Sequence, residues 1–152
     1  MKRHPQLQDL SRDHHHALVL ARQSRIAAKG SDDEVHARLV AAREKLEREL
    51  APHFAVEERL LLPALDDAGL GELAARTRTD HARLRELLRD DAPDERARLR
   101  EFGELLRDHV RFEESELFPA AEATLDDATL TAVADASAAL ESAERRRACD
   151  AR

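Results

Sequence analysis

Residues 99–120 carry apolar side chains at intervals of three and four, the spacing that one face of an α-helix repeats. That face consists of Leu99, Phe102, Leu106, His109, Glu113, Leu117 and Ala120. A β-strand would need a period of two and more β-branched and aromatic residues, whereas only 3% of the chain is aromatic. The segment therefore predicts a helix whose core-facing stripe contains a histidine and a glutamate one turn apart.

Similar spacing predicts helices along the rest of the chain, which is 42% hydrophobic and 38% charged, as long amphipathic helices require. A capping box at Ser31 and Glu34 begins the second helix, and Pro52 is expected to kink or interrupt it. The fourth helix is expected to end at about Phe118, before Pro119. The first predicted helix covers about 7–28, and the second begins at 32 and ends between 63 and 67. The remaining three cover about 72–89, 93–118 and 128–147.

Short connections between long helices favour antiparallel neighbours. We therefore expect an all-α fold, an up-down-up-down four-helix bundle with an additional C-terminal helix. The 152 residues fit a single domain, 1–152. Its bundle core would cover about 7–120, and the last helix, at about 128–147, would form a lid or an appendix.

Charge and cysteine content narrow the possible partners. The formal net charge of −7 argues against a nucleic-acid binder, whose affinity comes mainly from lysine and arginine. Cys149 is the single cysteine, so neither a disulfide nor a thiolate metal site can form within one chain. No stretch approaches the ~20 apolar residues of a membrane span, and the first ten residues lack the apolar core of a signal peptide. The expected location is the cytoplasm, away from the membrane.

Two segments of the chain are near-repeats of each other. HFAVEERLLLPA, at 53–64, and HVRFEESELFPA, at 109–120, share the histidine, the Glu-Glu pair and the later Leu, Pro and Ala. They lie on the second and fourth predicted helices, which run parallel in an up-down-up-down bundle. The two motifs are therefore expected to face each other at one level.

Each of the four predicted bundle helices places one histidine on its core-facing stripe, and the second and fourth add a glutamate one turn later. These six residues are His14, His53, Glu57, His81, His109 and Glu113. One interpretation is a polar core of hydrogen-bonded histidines. It leaves the glutamates unexplained, because ionised carboxylates buried without partners cost several kcal/mol each. No lysine or arginine shares the stripes at that level, unless Arg85 does.

A metal site would supply the missing positive charge. Imidazole and carboxylate ligands without sulfur suit iron, manganese or zinc, and six of them exceed the needs of one tetrahedral zinc ion. We therefore expect two ions, each held by two histidines and bridged by both glutamates, with coordination positions left open for a small ligand. The Glu-x-x-His and His-Glu-x-x-His patterns of other metal sites do not occur in the sequence.

Four motifs, DHHHAL, HFAVEERLLLP, DHARL and HVRFEESELFP, together resemble the hemerythrin-like family, also called the HHE cation-binding domain. The resemblance implies a four-helix bundle around a non-haem di-iron centre, with an oxo or hydroxo bridge, or with manganese or zinc as alternative metals. Its ligands would be His14, His53, Glu57, His81, His109 and Glu113, with both glutamates bridging.

The resemblance also implies a small-molecule ligand such as dioxygen, peroxide or nitric oxide, in a sensing, storage or detoxifying role. The alternatives are a small di-iron oxidase or peroxidase, or an iron-handling protein. An unidentified protein partner or a homo-oligomer is compatible with each of these functions.

The chain departs from the oxygen-carrier pattern at Arg85, where the carriers have a fifth histidine one turn after the third-helix histidine. This difference makes reversible oxygen carriage less favoured, unless Arg85 simply turns outward. Two ligand assignments stay open, since His15 is an alternative to His14, and Glu114 to Glu113. We expect Glu58 and Glu114 to lie in an outer shell around the site or in solvent, and His16 to lie in the outer shell or to be exposed. Three phenylalanines are expected in the core or around the ligand pocket: Phe54, Phe112 and Phe118.

Overall fold

The computed structural model describes residues 3–151, and this part of the chain contains five helices and no strand. Helix α1 is Gln8–Ala27, after a 3₁₀ turn at Pro5–Leu7, and α2 covers 32–67. Helix α3 is Gly71–Leu87, α4 covers 95–124, and α5 is Asp127–Asp150. The predicted all-α class is confirmed. None of the helices among these residues has both the length and the apolar character needed to span a bilayer.

Side-chain caps begin two of the helices. The predicted capping box is present: Glu34 N–H donates to Ser31 Oγ, and Ser31 N–H donates to Glu34 Oε2, both at 3.2 Å. At the start of α5, Asp126 accepts a hydrogen bond of 2.8 Å from the backbone of Thr129. These caps satisfy N–H groups that have no partner within the helix, and so they fix where α2 and α5 begin.

Helices α2 and α4 contain three π-helical turns, at Leu46–Leu50, Glu57–Leu61 and Glu113–Leu117. After each turn a backbone N–H donates to the carbonyl five residues earlier, and the next residue is a proline: Pro52, Pro63 and Pro119. The α-helical register is already broken there, and the wider turn relieves the clash between the ring and the preceding turn. The helices therefore continue past these prolines.

Two sequence expectations are corrected for this reason. Of the two alternatives for Pro52, a kink or an interruption, the interruption does not occur, and α4 does not end at Phe118 but continues to Thr124. A fixed period of 3.6 residues does not anticipate the extra residue that each π turn inserts.

The buried apolar residues form two clusters. The first joins α1, α2, α3 and α4 around Leu39, Phe102 and Leu106. The second lies toward the other end of these helices around Leu62 and Phe118, and it includes Leu130 and Val133 of α5. On each of the first four helices, the predicted site residues lie where the residues of one cluster give way to those of the other, so they form a polar layer at this boundary.

Candidate metal centre

The six predicted site residues come together in the polar layer, and none has more than 4% of its surface exposed. They form two groups of four, and within each group the candidate ligand atoms all lie within 4.8 Å of one another. The first group is His14, His53, Glu57 and Glu113, and the second is Glu57, His81, His109 and Glu113. Both glutamates belong to both groups.

Each glutamate lies between histidines of different helices. Glu57 Oε1 is 3.0 Å from His53 Nε2, and its Oε2 is 3.2 Å from His81 Nε2. Glu113 Oε2 is 2.7 Å from His14 Nε2, and its Oε1 is 2.9 Å from His109 Nε2. Each carboxylate therefore offers its two oxygens to two different groups of imidazoles, which is the placement that a bridging ligand needs.

Each glutamate is also the first residue of a π turn, Glu57 of Glu57–Leu61 and Glu113 of Glu113–Leu117. The histidine of the same motif precedes it by four residues and contacts it within 3.0 Å. The near-repeat thus produces the same local structure twice, and π turns inside α-helices occur frequently at functional sites.

The atoms of these six residues that face one another have no hydrogen-bond partner. They are the four Nε2 atoms and the four glutamate oxygens, and all eight are buried. The distances are short enough for hydrogen bonds, but the directions of the groups are not suitable. Buried polar atoms are nearly always hydrogen-bonded in native proteins, so this set fits metal ligands better than a hydrogen-bonded polar core. Imidazole nitrogens and carboxylate oxygens are also the donor types that iron, zinc and manganese accept.

The Nδ1 atom of each histidine contacts a second carboxylate outside the cluster. The distances are 2.7 Å from His14 to Glu114, 3.1 Å from His53 to Asp13, 2.9 Å from His81 to Glu58 and 3.1 Å from His109 to Asp80. An ionised carboxylate can only accept, so Nδ1 carries the proton. Glu58 and Glu114 were expected in an outer shell or in solvent, whereas no outer position was predicted for Asp13 or Asp80. The sequence feature that could have predicted them is the Asp-His pair that begins two of the motifs, DHHHAL and DHARL.

These charges dominate the ionisation of the cluster. Burial alone would lower the pKa of His109, but the Glu113 carboxylate and the hydrogen bond to Asp80 raise it to about 10. Burial would raise the pKa of Glu113, but the positive charge of His109 and the neighbouring imidazoles hold it well below its usual range. The cluster therefore combines ionised carboxylates with imidazoles whose pKa values are raised.

Two phenylalanines form walls of the cluster. The Phe54 ring stacks on His81 with 3.8 Å between centroids, and the Phe118 ring stacks on His14 at 5.2 Å. Phe112 is buried apart from these imidazoles, with the Arg76 guanidinium 3.9 Å from its ring centroid. Phe54 and Phe118 therefore contact candidate ligands, whereas Phe112 packs in the core.

The residues left open by the sequence analysis have definite positions. His14 is buried in the cluster, whereas His15 and His16 are exposed. Glu113 faces the cluster, and Glu114 lies outside it against His14 Nδ1. Arg85 turns outward: its side chain is 41% exposed, and it donates a hydrogen bond of 2.9 Å to Glu58.

A cavity of about 330 Å³ lies between α1, α2 and α5 and extends to Asp13 and His53. Helix α5 contributes Ser137, Leu140, Glu141, Glu144 and Arg145 to its wall. A second void, of about 10 Å³, lies against the cluster and is lined by His14, His53, His109 and apolar neighbours. Helix α5 therefore covers one side of the approach to the cluster.

No curated protein and no solved structure matches the chain. The family model of the hemerythrin HHE cation binding domain matches residues 6–121, which include all six residues of the cluster and end before α5. The chain therefore belongs to the hemerythrin HHE cation-binding domain family.

Proposed function

We propose that this protein binds two iron ions in the cluster and uses them to bind dioxygen or a related small molecule, in a sensing, storage or detoxifying role. The observation that carries the proposal is the set of eight buried ligand atoms, on six residues, that make no hydrogen bond. Membership of a cation-binding family supports it independently.

In this proposal each ion has its own pair of histidines. His14 and His53 would hold one ion, His81 and His109 would hold the other, and Glu57 and Glu113 would contribute to both. This assignment follows the two groups of four residues, which share only the glutamates. Six protein ligands leave coordination positions open on two ions that each accept up to about six donors.

The proposal includes an up-down-up-down arrangement of α1 to α4 within one domain, with α5 appended. The contacts between α1 and α4 support antiparallel packing. His14 meets Glu113, whereas seven residues later Ala21 meets Gly103, ten residues earlier on α4.

When bound, iron would supply a change of oxidation state that protein side chains lack. The chain provides the surroundings of that chemistry. Phe54, Phe118 and the two apolar clusters exclude bulk water from the polar layer. The void of about 10 Å³ beside His14, His53 and His109 is about the size of one water molecule, so only a very small ligand fits there.

A second candidate is a small di-iron oxidase or peroxidase. The two groups contain four histidines and no fifth, so the ion held by the second group would have room for a reactive ligand. The outward position of Arg85, bound to Glu58, does not by itself distinguish this candidate from the first. Catalytic turnover of peroxide, lost in Glu57→Ala, would favour the enzyme. A stable complex that releases its small-molecule ligand unchanged would favour a sensor or a store.

The test is the metal content of the protein purified from iron-replete cells, with the ultraviolet spectrum recorded before and after exposure to air. We expect about two irons per chain in the wild type and a marked loss in His14→Ala. The matched control is His15→Ala, which alters the neighbouring exposed histidine and should retain both ions. A folded wild-type protein that takes up no metal, or an equal loss in both variants, would refute the proposal.

A further inference from the structure

The four outer carboxylates connect the helices in a closed ring. Each of α1 to α4 supplies one carboxylate to a histidine of the next helix, and α4 returns to α1. The pairs are Asp13 with His53, Glu58 with His81, Asp80 with His109, and Glu114 with His14. Every candidate histidine thus has an outer partner on a different helix.

The ring follows from the position of each carboxylate in the sequence. Asp13 and Asp80 directly precede the buried histidines of their own helices, and Glu58 and Glu114 directly follow the buried glutamates. Neighbouring residues of a helix point about 100° apart. While one side chain points into the cluster, its neighbour reaches sideways to the adjacent helix.

Sequence adjacency alone does not create such a contact. Asp108 directly precedes His109, but its carboxylate accepts a hydrogen bond of 2.9 Å from Arg107. Asp108 is half-exposed, whereas Asp80, which contacts the same histidine, has only 16% of its side chain exposed. The chain therefore provides an internal control for Asp80.

Arginines hold two of the four carboxylates in place. Glu114 accepts from Arg3 at 2.9 Å and from Ser11 at 2.7 Å, and Glu58 accepts from Arg85 at 2.9 Å. The Arg85 guanidinium also lies 5.4 Å from the centroid of Phe54, the ring that stacks on His81. Arg85 therefore contacts both Glu58 and Phe54, the two residues that contact His81, but it does not enter the cluster.

Building on the proposed function, we propose that Asp13, Glu58, Asp80 and Glu114 are positioning residues for the metal centre. Each holds the proton of its imidazole on Nδ1, so that Nε2 remains the donor atom and the ring keeps its orientation. Because each pair joins two helices, the ring also couples ion binding to the packing of the helices around the site.

The test compares Asp80→Ala, Asp80→Asn and the control Asp108→Ala, with Zn²⁺ as a diamagnetic probe. Removing a carboxylate that orients a metal-ligating histidine costs about 10–100-fold in metal affinity. We expect a loss of this size for Asp80→Ala and partial rescue in Asp80→Asn, whose amide oxygen still accepts the Nδ1–H bond. Asp108→Ala should retain wild-type affinity. Competition with a chelator of known affinity measures all three.

Nuclear magnetic resonance of the zinc-loaded protein gives a readout that a merely structural role would not change. In the wild type, the Nδ1–H proton of His109 should exchange slowly with water. In Asp80→Ala it should exchange fast while the other three imidazole protons are retained. If Asp80→Ala does not fold, Glu58→Ala tests the more accessible pair, and the Nδ1–H proton of His81 should then exchange fast with water.

The two proposals fail in different ways. A wild-type protein that binds no zinc and no iron overturns the proposed function, and the positioning role falls with it. A wild type that binds metal, with Asp80→Ala and Asp108→Ala equal in affinity and in proton exchange, overturns the positioning role alone.

Discussion

The substitution Gly103→Ala tests how closely α1 and α4 approach each other. Gly103 is buried, and a β-carbon added there would lie 2.7 Å from the backbone oxygen of Ala21 and 3.1 Å from the backbone nitrogen of Arg25. Backbone atoms cannot rotate away as a flexible side chain can, so the helices would have to separate. Overpacking of this kind costs about 1–3 kcal/mol, and a contact of 2.7 Å with a backbone oxygen places this site in the upper part of that range, at about 2–3 kcal/mol.

Alanine also favours the helical state by about 1 kcal/mol relative to glycine, and this gain offsets part of the cost. The expected net loss in the free energy of unfolding is therefore about 1–2 kcal/mol, which lowers the melting temperature by about 2–8 °C in a domain of this size. Because Ala21 lies two turns after His14, separation of α1 and α4 should also weaken metal binding. Urea unfolding and chelator competition measure the two effects.

The control is Gly71→Ala at the start of α3, where an added β-carbon meets only Asp66 Oδ1, at 3.5 Å. Gly71→Ala should leave stability unchanged or raise it by up to about 1 kcal/mol. If Gly103→Ala proves as stable as the wild type while Gly71→Ala behaves as expected, the packing of α1 against α4 does not require a glycine at position 103.

Four further predictions concern metal binding, the ionisation of His109 and the α2 cap. Zinc at one hundred times its dissociation constant should stabilise the protein by about 2.7 kcal/mol per site. For two sites the melting temperature should rise by about 10–20 °C, measured by calorimetry with and without chelator. An unchanged melting temperature would contradict this prediction. Since Glu113 and Asp80 raise the pKa of His109 to about 10, this imidazole is protonated at pH 7 in the metal-free protein, and ion binding must release its proton. The heat of binding should then vary with the ionisation enthalpy of the buffer. In the metal-free protein, the contribution of His109 to stability should be complete below its unfolded pKa of about 6.5 and should disappear as the pH rises toward 10. Ser31→Ala should cost about 1 kcal/mol through loss of the α2 cap, whereas Ser142→Ala, at an exposed position of α5, should cost little.

Helical periodicity in the sequence was sufficient to predict the helices and to bring the six cluster residues onto core-facing stripes. It succeeds because a side chain that leaves the apolar stripe of a helix by one residue turns by about 100°, so the buried positions are strongly constrained. His14 is buried while His15 and His16 are exposed, as this geometry requires.

The same periodicity fails after a π turn, because the extra residue shifts every later position. The sequence places Ala120 on the buried stripe, but it is Ala121 that is fully buried, and Ala120 is only half-buried. The outer carboxylates Asp13 and Asp80 were missed for a different reason. They contact histidines of neighbouring helices, and contacts between helices depend on packing that no single-helix pattern contains.

The division of the six residues between the two groups has a consequence for how the site assembles. The pair of helices α1 and α2 supplies three residues of one group and a single glutamate of the other, and the pair α3 and α4 does the reverse. Neither pair of helices alone can complete a set of four. An ion bound with its full set of protein ligands would therefore act as a non-covalent crosslink between the two pairs, and a fragment that contains only one pair should lose most of its affinity for both ions.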